Sequence, residues 1–271
     1  MSVHAERSAT TVATLKKMKR TGEKIACLTA YDASFAALMN EAAIDVVLVG
    51  DSLGMVIQGH ETTVPVTVDD IVYHTRAVAS RCQRPLLMAD MPFMSYTSTR
   101  QAMMTAARLM QEGGAQMVKL EGDARQVETV NKLAEHGVPV CAHIGLQPQL
   151  IHKLGGYRVQ GRESAQAAAM IKDATALEQA GADVLLLECV PALLAAEITA
   201  ELDIPVIGIG ASPRCDGQIL VLQDILGITP GRAPGFVRNF MDGHNSIQGA
   251  VQAYAEAVKS GAFPAESHLF N

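Results

Sequence analysis

The chain alternates short apolar runs of strand-forming residues with longer stretches in which apolar residues recur every three or four positions. The runs are IACLTA (25–30), VVLVG (46–50), PLLMA (85–89), MVKLE (117–121), VPVCAH (138–143), VLLLE (184–188), PVIGIG (205–210) and FVR (236–238). Most are apolar without a break, as expected of parallel strands covered on both faces. Helical patterns fill the intervals, among them STRQAMMTAARLMQEG, ARQVETVNKLAEHG and ESAQAAAMIKDATALEQAG, and each closes on a glycine suited to a helix C-terminus. Two junctions echo one another, LMQEGGAQMVKLE and LEQAGADVLLLE, each reading helix, glycine, strand, glutamate.

Eight such βα units in 271 residues predict an α/β chain folded as one (β/α)8 TIM barrel over residues 1–271. Residues 1–24 read as an N-terminal helical extension across the bottom of the barrel. A doubly wound open sheet is the main alternative. Nothing favours nucleotide cradling, because no G-x-G-x-x-G follows the first strand and no Walker motif is present.

Charge narrows the partners. A formal net charge of −6, with Lys and Arg dispersed, argues against nucleic acid or an anionic membrane surface. No window approaches the roughly 18 apolar residues of a membrane helix. The start MSVHAERSATTV lacks the apolar region of a signal peptide, so a cytoplasmic location is expected. Five cysteines without a close pair suit a reducing compartment and read as small apolar residues. Cys141 and Cys189 stand beside candidate site residues, which leaves a catalytic thiol open.

In a barrel of this kind the active site lies at the C-terminal ends of the strands. Those ends are polar here: Tyr31 and Asp32, Asp51 and Ser52, Asp90, Lys119 and Glu121, His143, and Glu188. Asp32 alone is best explained as a helix N-cap. Lys119 and Glu121 are two apart and face the same side, opposite Val118 and Leu120, so they could simply neutralise one another. Asp51, Asp90 and Glu121 gathered on one rim would repel unless a cation intervened, and all-oxygen donors suit Mg²⁺ or Mn²⁺. A 2-oxo acid chelated there would have its carbonyl polarised and its neighbouring carbon acidified. Glu188, ending an apolar run, is the candidate general base, with a pKa expected to be raised. His143 could donate a hydrogen bond or move a proton, and a satisfied buried histidine fits equally well. GGYRVQGR (155–162) reads as a rim loop from which Tyr157 and Arg158 could close the site. His60, His74, His136 and His152 are assigned no chemistry, and the methionines read as core filling.

These residues lie in long collinear blocks: YDASFAALMNEAAIDVVLVGDSLGMVIQG, VPVTVDDIVYHTRAV, MVKLEG, HIGLQPQ, GGYRVQGR, LLLECVP, DGQILV and GRAPGFVRNF. From about Thr10 to near its end the chain resembles the ketopantoate hydroxymethyltransferase family. The resemblance implies transfer of a one-carbon unit from 5,10-methylenetetrahydrofolate to 3-methyl-2-oxobutanoate, giving 2-dehydropantoate for pantothenate and coenzyme A synthesis. It implies Mg²⁺ held by Asp51 and Asp90, with Glu121 among the ligands or just behind them. It also implies oxo-acid contacts from Ser52 and Lys119, Glu188 as proton acceptor, His143 in the active site, and a homodecamer.

Two departures from the family pattern stand out. GIGAS places Ser212 where a glycine is usual, an expected source of backbone strain or a narrowed cleft. The tail FPAESHLF differs at Ser267 and Leu269, which leaves any role of the C-terminus in question. Rival readings are a Mg²⁺-dependent carbon-carbon lyase acting on another oxo acid, and a silent barrel that only binds or scaffolds.

Overall fold

The computed structural model describes residues 9–229, 231 and 233–270. Residues 1–8 of the expected N-terminal extension, and Arg232 within GRAPGFVRNF, lie outside them. Eight strands form a closed parallel barrel: β1 (Ile25–Thr29), β2 (Val46–Val49), β3 (Leu86–Asp90), β4 (Met117–Glu121), β5 (Val140–Gly145), β6 (Val184–Glu188), β7 (Val206–Ile209) and β8 (Gly217–Leu220). Each pairs with the next, and β8 closes on β1 through Ile25 opposite Gly217. Among the described residues no helix is long and apolar enough to cross a membrane.

Because side chains alternate along a strand, the continuous apolar runs supply two cores at once. Val47, Val49, Leu87, Ala89, Val118 and Leu120 pack outward with helix residues such as Ile71, Leu109 and Leu133. Val46, Leu48, Leu86, Met88, Met117, Cys141 and Leu186 fill the barrel interior. The helix Val12–Thr21 adds Leu15 and Met18 to that interior cluster and seals its lower end. Burying each of these two side chains stabilises the closure by roughly 1.5–3 kcal/mol. Lys16 reaches Asp183 at 2.7 Å and Lys19 reaches Asp216 at 2.8 Å, tying the helix beneath the starts of β6 and β8. The expected extension is therefore present from Val12 onward.

Strand eight is not where the sequence pattern put it. FVR (236–238) lies in a loop, and β8 is formed by Gly217–Leu220, only seven residues after β7. A parallel connection ordinarily takes a dozen or more residues, which is why the pattern pointed past this segment. Residues 210–216 cross without a helix, and Gly217 allows the close approach. A Cβ there would stand 2.4 Å from the Ile25 carbonyl oxygen.

Candidate active site

Above the apolar interior the inward positions of β3, β4, β5 and β6 become ionisable together. Asp90 continues the inward face of Met88, Lys119 and Glu121 that of Met117, His143 that of Cys141, and Glu188 that of Leu186. They line one cleft of about 740 Å³ at the strand C-termini, with Asp51 and Ser52 from β2. Asp51, Asp90, Lys119, Glu121 and His143 are all buried.

Asp51 belongs to the outward register of β2, yet it reaches the cleft because the strand has ended. Gly50 turns the chain so closely that a Cβ would lie 2.9 Å from Ser52 Oγ and 3.4 Å from Asp90 Oδ2. The Asp51 N–H then donates to Asp90 Oδ2 at 2.8 Å. The apolar run ends in Gly-Asp-Ser because this turn delivers two polar side chains inward. Ser52 Oγ is 2.8 Å from Tyr31 Oη, whose backbone carbonyl meets His74 Nδ1 at 2.7 Å.

Lys119 Nζ stands 2.9 Å from Asp90 Oδ1 and 3.8 Å from Glu121 Oε1. The lysine does neutralise part of the charge, as one reading of MVKLE expected. Burial by itself would depress the Lys119 pKa, but Asp90, Glu121 and Asp51 outweigh it and hold the ammonium well above its usual range. One cation does not balance the rim: burial, and then the charge of Asp90, pushes the Asp51 carboxyl well above the usual carboxylate range.

His143 stands between the glutamates of the two echoed helix-glycine-strand units. Its strand lies between β4 and β6, Nδ1 faces Glu121 Oε1 at 3.5 Å, and Nε2 faces Glu188 Oε2 at 3.3 Å. Burial and Lys119 both favour the neutral ring, yet the two glutamates prevail and raise its pKa. For Glu121, burial is outweighed by His143, Lys119 and the Gln149 N–H, which together lower its pKa.

Glu188 owes its place to an unusual neighbour. Gly145 has φ +93° and lies so close that a Cβ would be 2.3 Å from the Glu188 carbonyl oxygen. Leu146 N–H donates to that same oxygen at 2.8 Å. Cys189, next in sequence, takes a positive φ of 49° and lines the cleft. Neither candidate thiol is activated: burial pushes Cys141 up to about 12 and raises Cys189 as well, so both stay protonated at neutral pH.

Sequence reasoning missed the residue that ties the site together. Gln149 is buried, donates from Nε2 to Asp51 Oδ2 and to the Met91 carbonyl at 2.9 Å each, and donates from its backbone N–H to Glu121 Oε2 at 3.1 Å. Its Oε1 accepts the Tyr96 hydroxyl at 2.5 Å. The only signal was its place in HIGLQPQ, just past the end of β5, since a lone glutamine has no diagnostic spacing. His60, to which no chemistry was assigned, lies on the cleft wall.

Of the remaining expectations, Asp32 is a cap: its carboxylate accepts the Phe35 N–H at 2.9 Å. Tyr157 lines the cleft, and its hydroxyl donates to Met55 Sδ at 3.6 Å, whereas Arg158 does not line the cleft. The strain expected at Ser212 is not found, because its φ is not positive. Its Oγ instead accepts the Arg214 N–H at 3.2 Å. The constrained position in GIGAS is Gly210, with φ +55° and room for no Cβ, which would meet Phe236 at 2.7 Å. The C-terminal segment does have a structural role. The Phe270 carbonyl accepts the Ala192 N–H at 2.9 Å, and its ring packs edge-on to Phe236 on the cleft wall.

Two buried carboxylate oxygens, Asp90 Oδ1 and Glu121 Oε1, have no hydrogen bond; the Lys119 contact with the first is out of line for one. Carboxylate oxygens without a hydrogen bond, beside an Asp51 carboxyl pushed up by burial and by Asp90, are what a divalent cation would relieve. Among the described residues, no three His, Cys, Asp or Glu side chains gather closely enough to cage a metal. The arrangement suits the open sort of Mg²⁺ site, in which one or two carboxylates leave several positions to water and ligand oxygens.

A closed parallel barrel whose C-terminal mouth gathers carboxylates, a lysine and a histidine defines an enzyme of the (β/α)8 class. Solved structures agree on the fold: a phosphonopyruvate hydrolase described in complex with oxalate and Mg²⁺ matches with a TM-score of 0.58 at 13% identity, over 78% of this chain and 80% of that one. An oxaloacetate acetylhydrolase matches with a TM-score of 0.57 at 17% identity, over 94% of this chain and 98% of that one. Residues 9–266 match the model of the ketopantoate hydroxymethyltransferase family, and the chain belongs to that family. The 3-methyl-2-oxobutanoate hydroxymethyltransferase of Alkalilimnicola ehrlichii is 64% identical, covering 97% of this chain and 95% of that protein. The enzyme of the same name from Halorhodospira halophila is 57% identical, covering 98% and 97%.

Proposed function

We propose that this protein transfers a hydroxymethyl group to 3-methyl-2-oxobutanoate, with 5,10-methylenetetrahydrofolate as donor, to give 2-dehydropantoate for pantothenate synthesis. The observation that carries the reading is the convergence of Asp51, Asp90, Lys119, Glu121, His143 and Glu188 on one cleft in a chain of this family. Net, the oxo acid, the methylene donor and one water give 2-dehydropantoate and tetrahydrofolate. The C3–H bond breaks, a C3–carbon bond forms, both C–N bonds to the methylene break, and the water oxygen becomes the new hydroxyl.

Asp51 and Asp90 would hold a Mg²⁺ ion, with Glu121 behind them, and a bound ion would polarise the carbonyl of the oxo acid. Lys119 and Ser52 face the same cleft and can bind the substrate carboxylate and carbonyl oxygens. Glu188 takes the C3 proton. Its Oε2 lies 3.3 Å from His143 Nε2, so the imidazole orients the carboxylate and can accept or return a proton. Glu121 and Gln149 keep that imidazole and the Asp51 carboxylate in place. The mostly apolar walls, including Leu186, Ile209 and Ile219, limit water around the carbanion equivalent.

The test is direct. Purified protein with Mg²⁺, methylenetetrahydrofolate and 3-methyl-2-oxobutanoate should form 2-dehydropantoate, detected by mass spectrometry. Turnover of another oxo acid with cleavage, and none of this product, would favour the lyase reading.

A further inference from the structure

The proposed chemistry uses the strand ends at the floor of the cleft and leaves one buried carboxylate on its wall unexplained. Asp224 lies in the short helix Leu222–Ile225 that follows β8, is only 8% exposed and lines the cleft. The Thr229 hydroxyl donates to its Oδ1 at 2.5 Å, and no described residue forms a hydrogen bond to Oδ2. Burial pushes its pKa up, and no cation among the described residues offsets this. On the same cleft the Thr63 hydroxyl is buried without a partner. Ile209, Ile219, Val221 and Phe236 supply apolar surface to the same cleft.

At about 740 Å³ the cleft is of a size that takes drug-sized ligands, and a small oxo acid on its floor would leave most of it empty. The space left is bounded largely by apolar side chains, with His60, Glu61, Thr63 and Thr229 beside the one buried carboxylate, Asp224. That combination selects a flat heterocycle carrying adjacent N–H donors on one edge.

We infer that Asp224, held by Thr229, recognises the 2-amino and ring N–H edge of a reduced pterin, and so forms the donor-binding end of the cleft. The inference rests on the folate-donor reading above and adds the residue that would read the donor. Two coplanar N–H donors match two carboxylate oxygens in the same bidentate way that a guanidinium does. Such a pair satisfies a carboxylate that is otherwise costly to keep ionised in a partly dry wall. An Asn at this position would keep the shape but turn one acceptor into a donor facing donors.

The test is the binding of tetrahydrofolate, and of its analogue lacking the 2-amino group, to wild type and to Asp224→Asn by calorimetry, with thermal unfolding as the control for folding. The variant should bind tetrahydrofolate roughly 10- to 100-fold more weakly. Wild type should discriminate against the analogue by a similar factor, and the variant should largely lose that discrimination. Equal affinity of variant and wild type for tetrahydrofolate would overturn the assignment. So would equal affinity of wild type for the two ligands, a result that stands even if the variant fails to fold. A wild-type protein that binds no tetrahydrofolate at all would overturn the donor reading itself, and this subsite with it.

Discussion

His143 Nε2 lies 3.3 Å from Glu188 Oε2, with the opposite nitrogen turned to Glu121 at 3.5 Å. One imidazole thus joins Glu188, the proposed base, to the Glu121 carboxylate network. Glu188→Gln keeps the shape of the side chain but removes the proton acceptor. It should lower steady-state turnover by roughly 10²- to 10⁴-fold with little change in thermal stability. Turnover close to wild type would remove Glu188 from the role of base.

Lys119 is the single lysine against three buried acids. Lys119→Met should destabilise the fold by about 3–5 kcal/mol, because Asp90 and Glu121 lose a buried partner. Adding Asp90→Asn to that variant should recover part of the loss. Urea unfolding of wild type, single and double variants measures both effects.

Gln149 connects Asp51 to Glu121, and Tyr96 fixes the amide. Gln149→Ala should weaken Mn²⁺ binding, followed by the paramagnetic signal of the free ion, and should cost about 1–3 kcal/mol in stability through the unpaired Tyr96 hydroxyl and Asp51 oxygen. Tyr96→Phe should do the same more mildly. Unchanged ion affinity in both would mean that the network only packs the loop.

Gly145 is constrained from two directions, by its positive φ and by the Glu188 carbonyl. Gly145→Ala should cost at least about 1–3 kcal/mol from the backbone alone. Where the variant folds, kcat should fall more than oxo-acid affinity, since it is Glu188, the proposed base, that shifts. Calorimetric binding of the oxo acid beside a rate measurement separates the two.

Much of this was legible in the sequence because a barrel strand covered on both faces writes itself as an unbroken apolar run. Seven strands and every ionisable residue of the floor follow from where those runs stop. Strand eight was misplaced because GQIL is short, starts with glycine and follows β7 without a helix. Gln149 and Tyr96 were invisible for a different reason. They lie beyond the strand ends, Tyr96 in a loop and Gln149 in a single 3-10 turn, and their importance is a matter of the bonds they make across β3, β4 and β5 rather than of any spacing. Ser212 misled in the opposite sense: the glycine-rich stretch is constrained at Gly210, and Ser212 has no positive φ.

In the proposed reaction Glu188 takes the C3 proton of the 2-oxo acid bound in the cleft. The most direct measurement is deuterium incorporation at C3 of 3-methyl-2-oxobutanoate in D₂O, followed by NMR, with wild type and Glu188→Gln, with Mg²⁺ and after its removal by EDTA. Exchange by the metal-loaded wild type, lost on chelation and lowered at least about 10²-fold in the variant, is the predicted result. Exchange at the wild-type rate in Glu188→Gln, or none in folded, metal-loaded wild type, would contradict it.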